Sequence, residues 1–166
     1  MVVYAISGDG IGAGKSTLAK LLVGSSNVWS LAGQIRADLR LQLPNYDWDN
    51  RTQDYKDTTR VKERDRKTVR QVMIEHGQNK CKENHLHWVE LLAERIVASD
   101  KLASGISAIA VDDLRKVCEL EYLKRRLGAN LIHFHVINPA AKSEPEFENQ
   151  ELAQLAEHLY MWRKLG

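Results

Sequence analysis

A glycine-rich segment near the amino terminus has the residue types and spacing of a phosphate-binding loop. It reads Ser7-Gly8-Asp9-Gly10-Ile11-Gly12-Ala13-Gly14-Lys15-Ser16-Thr17. An apolar run at 2–6 predicts a buried strand before it, and leucines at helical spacing follow it. Glycines let successive N–H groups point at phosphate oxygens, and the amino end of a helix adds favourable partial charge. The segment therefore predicts a nucleotide-phosphate site.

The end of this loop carries the side chains expected to work on a bound nucleotide. Lys15 is expected to reach the β- and γ-phosphates of ATP, and Ser16 to ligate Mg²⁺. The other expected phosphate-binding positions are Gly10, Gly12, Ala13, Gly14 and Thr17. The usual spacing G-x-x-x-x-G-K-[ST] would put a glycine at position 9, where this chain has Asp9, so that either Gly8 or Gly10 must replace it. A turn that binds nothing is the alternative, but such a turn does not need Lys-Ser-Thr at its helical exit.

A second group of charged residues follows an apolar run at 106–111. Asp112 and Asp113 come directly after this predicted strand, and Arg115 stands two residues further on. A carboxylate at a strand end can reach a metal directly or through water, which makes Asp112 the second expected Mg²⁺ residue. The alternative is that one aspartate only caps a helix, and the pair allows both roles.

Cations are in excess between Arg60 and Arg70. Arginine forks neutralise transferred and acceptor phosphates, although a solvated helical face explains most such residues equally well. Arg70 is the exception, because it lies beside Val69, Val72 and Met73 in an apolar-periodic segment and should stand against the body of the protein.

Aromatic and histidine side chains add two further candidates. Trp88 could stack on a nucleobase, or it could pack in the core. His133 and His135 alternate on a predicted strand and so share one face, and with no third ligand near in sequence they are expected to be packed or structural.

Composition limits the classes of protein that fit. The 166 residues carry a net charge of +2 and are 43% hydrophobic, which is ordinary for one folded domain and gives no reason to expect DNA as a partner. Two cysteines without metal spacing are expected to be reduced thiols, and no apolar stretch approaches the ~20 residues of a membrane span. A cytoplasmic protein is expected. Its four tryptophans leave room for a hydrophobic contact between two copies, or for burial of all four.

Alternating strand and helix patterns predict an open, mostly parallel sheet. Helices are expected at 32–43, from Thr68 to a cap at Gly77, at 85–98, at 116–127 and at 149–165, the last with Leu152, Leu155, Leu159 and Trp162 inward. Strands are expected at 27–31, 106–111 and 131–137, with a loop at 45–57.

Together these residues resemble the bacteriophage-type deoxynucleoside monophosphate kinases, a branch of the P-loop nucleotide kinases. The resemblance rests on the phosphate loop and on three further segments. They are Ala32-Gly33-Gln34-Ile35-Arg36, Val69-Arg70-Gln71-Val72-Met73-Ile74-Glu75-His76-Gly77 followed by Trp88, and Val111-Asp112-Asp113-Leu114-Arg115. It implies a three-layer α/β P-loop kinase fold, in which a helical acceptor-binding or lid region at about 32–100 is inserted between core strands.

The resemblance also implies an activity, with ATP and Mg²⁺ at the loop and a (deoxy)nucleoside 5′-monophosphate as the phosphoryl acceptor. By position, Lys15, Arg70, Asp112, Asp113 and Arg115 match the active centre, and Arg36, Arg70 and Trp88 match the acceptor site. Two alternatives stay open: the same scaffold could phosphorylate a hydroxyl on a nucleoside, a modified base in DNA or a small metabolite, or it could bind ATP as a non-catalytic switch.

Overall fold

The computed structural model describes residues 1–10, 12–50, 52–101, 105–139 and 149–161. The chain divides into two units, one formed by Met1–Leu31 with Leu92–Gly166 and the other by Ala32–Leu91. We call these the sheet unit and the helical unit.

A five-stranded parallel sheet forms the centre of the sheet unit. Its strands are β1 (Val2–Gly8), β2 (Val28–Trp29), β5 (Ala108–Val111), β6 (Leu131–Ile137) and β7 (His158–Met161). Their order across the sheet is β2-β5-β1-β6-β7, and every neighbouring pair is parallel. The continuous apolar runs in β1 and β5 suit strands covered on both faces. The parallel sheet predicted from the sequence is therefore confirmed, with strands at 28–29 and 108–111 shorter than expected.

Helices connect these strands and cover the sheet. They are α1 (Lys15–Val23), α5 (His87–Lys101, which begins in the helical unit), α6 (Val117–Leu127) and α7 (Asn149–Gln154). Leu18 and Ala19 of α1 pack on Ile6, Ala110 and Val136 from three neighbouring strands. This apolar contact fixes α1, and with it the loop that leads into α1, at the middle of the sheet.

The strand order places a change of direction beside β1. From β1 the chain runs toward β2 at one edge of the sheet, whereas from the adjacent β6 it runs toward β7 at the other edge. In open α/β sheets, ligands bind outside the carboxyl ends of the strands at such a switch point. When only the five strands of this sheet are numbered along the chain, their order is 2-3-1-4-5, which differs from the two common doubly wound orders, 3-2-1-4-5-6 and 2-1-3-4-5.

The helical unit has its own core. It contains α2 (Leu31–Gln42, which begins at the last residue of the first stretch of the sheet unit), α3 (Gln53–Thr58), a hairpin of β3 (Arg60–Val61) and β4 (Lys67–Thr68), and α4 (Val69–Glu83). Leu39, Trp48, Val61, Val69 and Val72 are buried together. Thr68 and Gln71 form a capping box that starts α4.

Two expectations in this unit were wrong. Gly77 does not end a helix but lies inside α4, where a Cβ would stand 3.0 Å from Ile35 Cδ1, so this glycine serves close packing. The stretch 45–57, expected to be a loop, contains the start of α3.

The expected carboxyl-terminal helix at 149–165 was also wrong. α7 ends at Gln154, and β7 follows as a strand paired with β6 from Phe134↔His158 to Ile137↔Met161. The backbone of β6 offers hydrogen bonds that outweigh the helical spacing of the leucines. Leu152 is buried as expected, whereas Leu155 and Leu159 are exposed and Trp162 lies outside the described residues.

The cysteines and most of the tryptophans can be compared with what the composition suggested. Cys81 and Cys118 are not joined by a disulfide. Trp48 and Trp88 are buried, and Trp29 is half-buried under the Arg95 guanidinium, whose carbon is 4.4 Å from the ring centre. No helix in the described part of the chain is long and apolar enough to cross a membrane.

Candidate nucleotide site

The glycine loop between β1 and α1 has a backbone that requires glycine at three positions. Gly10, Gly12 and Gly14 have φ of 128°, 82° and 95°. Side chains are disfavoured at such angles, so three alternating glycines are required here. Gly14 stands at the N-cap position, and α1 begins at Lys15. Within the loop, the Gly10 N–H donates to the Gly8 carbonyl at 2.7 Å and the Ala13 N–H donates to the Gly10 carbonyl at 3.4 Å. The start of the nine-residue α1 adds N–H groups of the kind that favour an anion.

Gly8 is required for a different reason. It ends β1, and a Cβ at this position would lie 2.7 Å from the Val136 carbonyl oxygen. The sequence left open whether Gly8 or Gly10 replaces the glycine missing at position 9. Gly10 takes the left-handed conformation, while Gly8 allows the close approach to β6.

Lys15 points back along the loop. Its Nζ donates a hydrogen bond to the Gly10 carbonyl, 2.6 Å away. Ser16 and Thr17, in the first turn of α1, are exposed, and Ala13 is buried. The lysine and the serine hydroxyl thus stand at the amino end of a helix, where a phosphate and its metal bind most favourably.

The two aspartates after β5 have different environments. Asp113 Oδ1 accepts a hydrogen bond of 2.8 Å from the N–H of Leu31, so this aspartate caps the start of α2. Asp112 is 8% exposed, and its carboxylate makes no hydrogen bond within the described ranges. The Asp112 oxygens are not among the fully buried polar atoms that lack a partner in the described residues, so they keep contact with solvent and a cation could reach them. Because β5 pairs with β1, Asp112 follows a strand that neighbours the one leading into the glycine loop.

Arg115 is exposed on the segment that follows. Glu119 of α6 holds this segment, because its Oε2 accepts the N–H groups of Arg115 at 3.0 Å and Lys116 at 3.1 Å. Burial raises the pKa of the Glu119 carboxyl, and these two hydrogen bonds oppose the rise. The backbone position of Arg115 is therefore fixed while its side chain reaches solvent.

A buried polar chain runs from β6 to the glycine loop. Ser7 Oγ lies 2.8 Å from both His133 Nε2 and His135 Nδ1, and His135 Nε2 lies 3.0 Å from Asp9 Oδ1. Both histidines are fully buried, in agreement with the structural role expected for them. Burial lowers the pKa of His133 to about 4, and the nearby Leu155 carbonyl opposes this shift. That carbonyl does not form a hydrogen bond of ordinary geometry with His133 Nδ1.

The expected acceptor residues all lie in the helical unit. Arg36 is 7% exposed. Arg70 is half-exposed rather than packed against the body, and its guanidinium donates to Asp57 at 2.5 Å and to Gln53. The hydrogen bond from Arg70 lowers the pKa of Asp57. Trp88 is 5% exposed, with Nε1 donating to the Gly77 carbonyl at 3.0 Å, which favours core packing over stacking on a base.

Most other cations around Arg70 are exposed. They are Arg60, Lys62, Arg64 and Arg66. Lys67 forms an ion pair of 2.8 Å with Glu75. This pattern fits a solvated face.

The sequence did not predict the roles of three residues of the site. Ser7 and Asp9 belong to the buried chain, and Asn138 Nδ2 donates to the Gly12 carbonyl at 3.0 Å. The alternating histidines were the available signal, since two buried polar rings on one face require polar partners.

No group of three potential metal-binding side chains is found among the residues described. No protein-family model matches the chain, and no curated protein matches its sequence.

Proposed function

We propose that the chain is an ATP-dependent kinase of the P-loop type that transfers the γ-phosphoryl group to a (deoxy)nucleoside 5′-monophosphate. One observation carries the proposal. Three alternating glycines at positive φ lead directly into a nine-residue helix whose first residues are Lys15 and Ser16. This backbone favours a polyphosphate, and the lysine supplies positive charge where the transferred group would carry its own negative charge.

The donor set suits Mg²⁺. The exposed hydroxyl of Ser16 and the carboxylate of Asp112, which keeps contact with solvent, are hard oxygen ligands, and they would hold the ion directly or through water. When bound, Mg²⁺ neutralises charge on the β- and γ-phosphates. Asp113 is assigned a structural role instead of a metal-binding one, because one of its oxygens already caps α2.

The acceptor half of the proposal rests on the sequence resemblance. Arg70 and Arg36 match the residues that hold the acceptor monophosphate, and Arg115 matches a cation of the active centre. The attacking phosphate oxygen is anionic at neutral pH, so the reaction needs positioning and charge neutralisation rather than a strong base. In this assignment Arg70 exchanges Asp57 and Gln53 for the acceptor phosphate, since its guanidinium is engaged by both.

ADP formation from Mg-ATP tests this proposal. The assay uses each of the four deoxynucleoside monophosphates, their ribose counterparts, or no acceptor. Lys15→Ala is the blank, and Lys20→Ala, at an exposed lysine of the same helix, is its matched control. We expect acceptor-dependent turnover that Lys15→Ala lowers by about a hundredfold or more and that Lys20→Ala leaves unchanged.

Two outcomes would contradict the nucleotide-kinase assignment. ATP binding that Lys15→Ala abolishes, without turnover on any monophosphate, would favour a hydroxyl acceptor or a non-catalytic switch. Absence of ATP binding by the unaltered protein would reject the nucleotide site itself.

A further inference from the structure

The carboxyl end of β6 holds the glycine loop at three points. The Val136 carbonyl accepts the Asp9 N–H at 3.2 Å, His135 Nε2 lies 3.0 Å from the Asp9 carboxylate, and Asn138 Nδ2 donates to the Gly12 carbonyl at 3.0 Å. Asp9 is thus tied to β6 by both its backbone and its side chain. All these residues belong to the sheet unit.

The chemistry of the carboxylate decides the direction of the bond between His135 and Asp9. An ionised carboxylate only accepts hydrogen bonds, so His135 Nε2 carries the proton and donates it to ionised Asp9. Ser7 has one hydroxyl proton and two histidine neighbours at 2.8 Å, so it donates to one ring and accepts from the other. The contacts from His133 Nε2 to Asp9 can therefore all be hydrogen bonds without a charged His133, while His133 Nδ1 is left without a hydrogen-bond partner among the described residues. A buried, connected network of this kind fixes its members in one geometry.

Fixing Asp9 also fixes the resting position of Lys15. The residue after Asp9 is Gly10, whose carbonyl accepts the Lys15 ammonium at 2.6 Å and whose N–H contacts the Gly8 carbonyl at 2.7 Å. If Asp9 lost its connection to His135, only its backbone N–H would still hold it to the Val136 carbonyl of β6, and the peptide that carries the Gly10 carbonyl would be held less firmly. A misplacement of about 1 Å in a positioned group can cost about a hundredfold in rate, and a site that must be ordered when its ligand binds loses affinity.

We propose that Asp9 and His135 are positioning residues, which preorganise the glycine loop for nucleotide phosphates by binding it to β6. This inference rests on the proposed nucleotide site. Asp9 is not a phosphate ligand in this account, because its carboxylate would repel phosphate oxygens and one of its own oxygens is held by His135. Its contribution is the acceptor atom that His135 requires.

The test measures the Kd of Mg-ATP by titration calorimetry on the full chain, without an acceptor. Asp9→Ala and His135→Leu each remove the bond, whereas Asp9→Asn keeps an acceptor oxygen and His135→Gln keeps a donor in place of Nε2. His158→Gln, at an exposed histidine on β7, is the matched control. The kcat at saturating ATP and the unfolding midpoint are measured on the same proteins.

We expect Asp9→Ala and His135→Leu to raise Kd by about tenfold or more, and Asp9→Asn, His135→Gln and His158→Gln to stay within about threefold. The kcat should change less than Kd, because the loop is rebuilt once ATP is bound. The double variant Asp9→Ala with His135→Leu should bind no more weakly than the worse single variant, since both remove one interaction.

The inference is overturned if the Asp9→Ala protein binds ATP as tightly as the unaltered protein. It is also overturned if the effects of Asp9→Ala and His135→Leu on Kd are additive in the double variant. Asp9→Ala also covers the case in which His135→Leu does not fold, because Asp9 lies in the loop and its side chain is 34% exposed. Failure here differs from failure of the proposed function, which would appear as absence of ATP binding by the unaltered protein and would reject both.

Discussion

Protonation of His133 should make the sheet unit unstable in acid. Burial away from water is the main cause that lowers its pKa from 6.5 to about 4, and Lys124 and His135 add to it while Glu157 opposes it. Between these two pH values the unfolded chain binds a proton at this ring and the folded chain does not. The free energy of unfolding therefore falls as pH drops through this window.

The magnitude follows from the two pKa values. Each tenfold difference in proton affinity corresponds to about 1.4 kcal/mol, so His133 alone should cost about 3 kcal/mol between pH 6.5 and pH 4. This is a large fraction of the ~5–15 kcal/mol that stabilises an ordinary domain. The variant His133→Gln removes the titration and keeps an N–H for Ser7.

The assay is denaturant unfolding at a series of pH values, followed by far-UV circular dichroism and by tryptophan fluorescence. Coincident transitions establish two-state behaviour. Below pH 6.5 the curve of the unaltered protein should fall more steeply than that of His133→Gln, by up to about 3 kcal/mol at pH 4. Parallel curves for the unaltered protein and His133→Gln would refute the reasoning.

Three other substitutions test separate parts of the site and its supports. Gly8→Ala should destabilise by about 1–3 kcal/mol in denaturant unfolding and weaken ATP binding, because its Cβ would lie 2.7 Å from the Val136 carbonyl oxygen; an unchanged unfolding midpoint would contradict this. Thr68→Ala should cost about 1 kcal/mol by removing the cap that accepts from the Gln71 N–H, and Thr68→Ser, which keeps the acceptor oxygen, should recover most of that loss. Asp112→Asn should lower turnover about a hundredfold at fixed Mg²⁺ without lowering stability, whereas a stability loss with normal turnover would make this carboxylate structural.

The sequence predicted the parts of the fold in which local pattern and tertiary context agree. The strand over 131–137 has its expected bounds, and the helix expected at 116–127 is α6, Val117–Leu127. The glycine loop was identifiable because its backbone conformation demands glycine at alternate positions, and this demand is visible in the sequence. The loop and its lysine could thus be identified from the sequence without a structure.

Elements that depend on residues distant in the sequence could not be predicted from the sequence. Residues 158–161 form a strand because β6 offers them an unpaired edge, and nothing within the segment itself reveals that edge. Gly77 was interpreted as a helix end because glycine commonly ends helices, but here it accommodates Ile35 and offers its carbonyl to Trp88. The different environments of Asp112 and Asp113 depend on the N–H of Leu31, which is 82 residues away along the chain from the capping aspartate.

The departure of the glycine loop from the usual spacing has a physical explanation at Asp9. The only described non-glycine residues with positive φ are Asp65 and Arg66, so Asp9 has an ordinary backbone conformation that tolerates a side chain. The left-handed turn falls instead on Gly10, one residue later. Position 9 is therefore available for a group that binds the loop to the sheet, and His135 provides the partner from β6. Removing this side chain leaves the length of the loop unchanged, so it tests whether the bond from Asp9 to His135, rather than the spacing, is what phosphate binding needs.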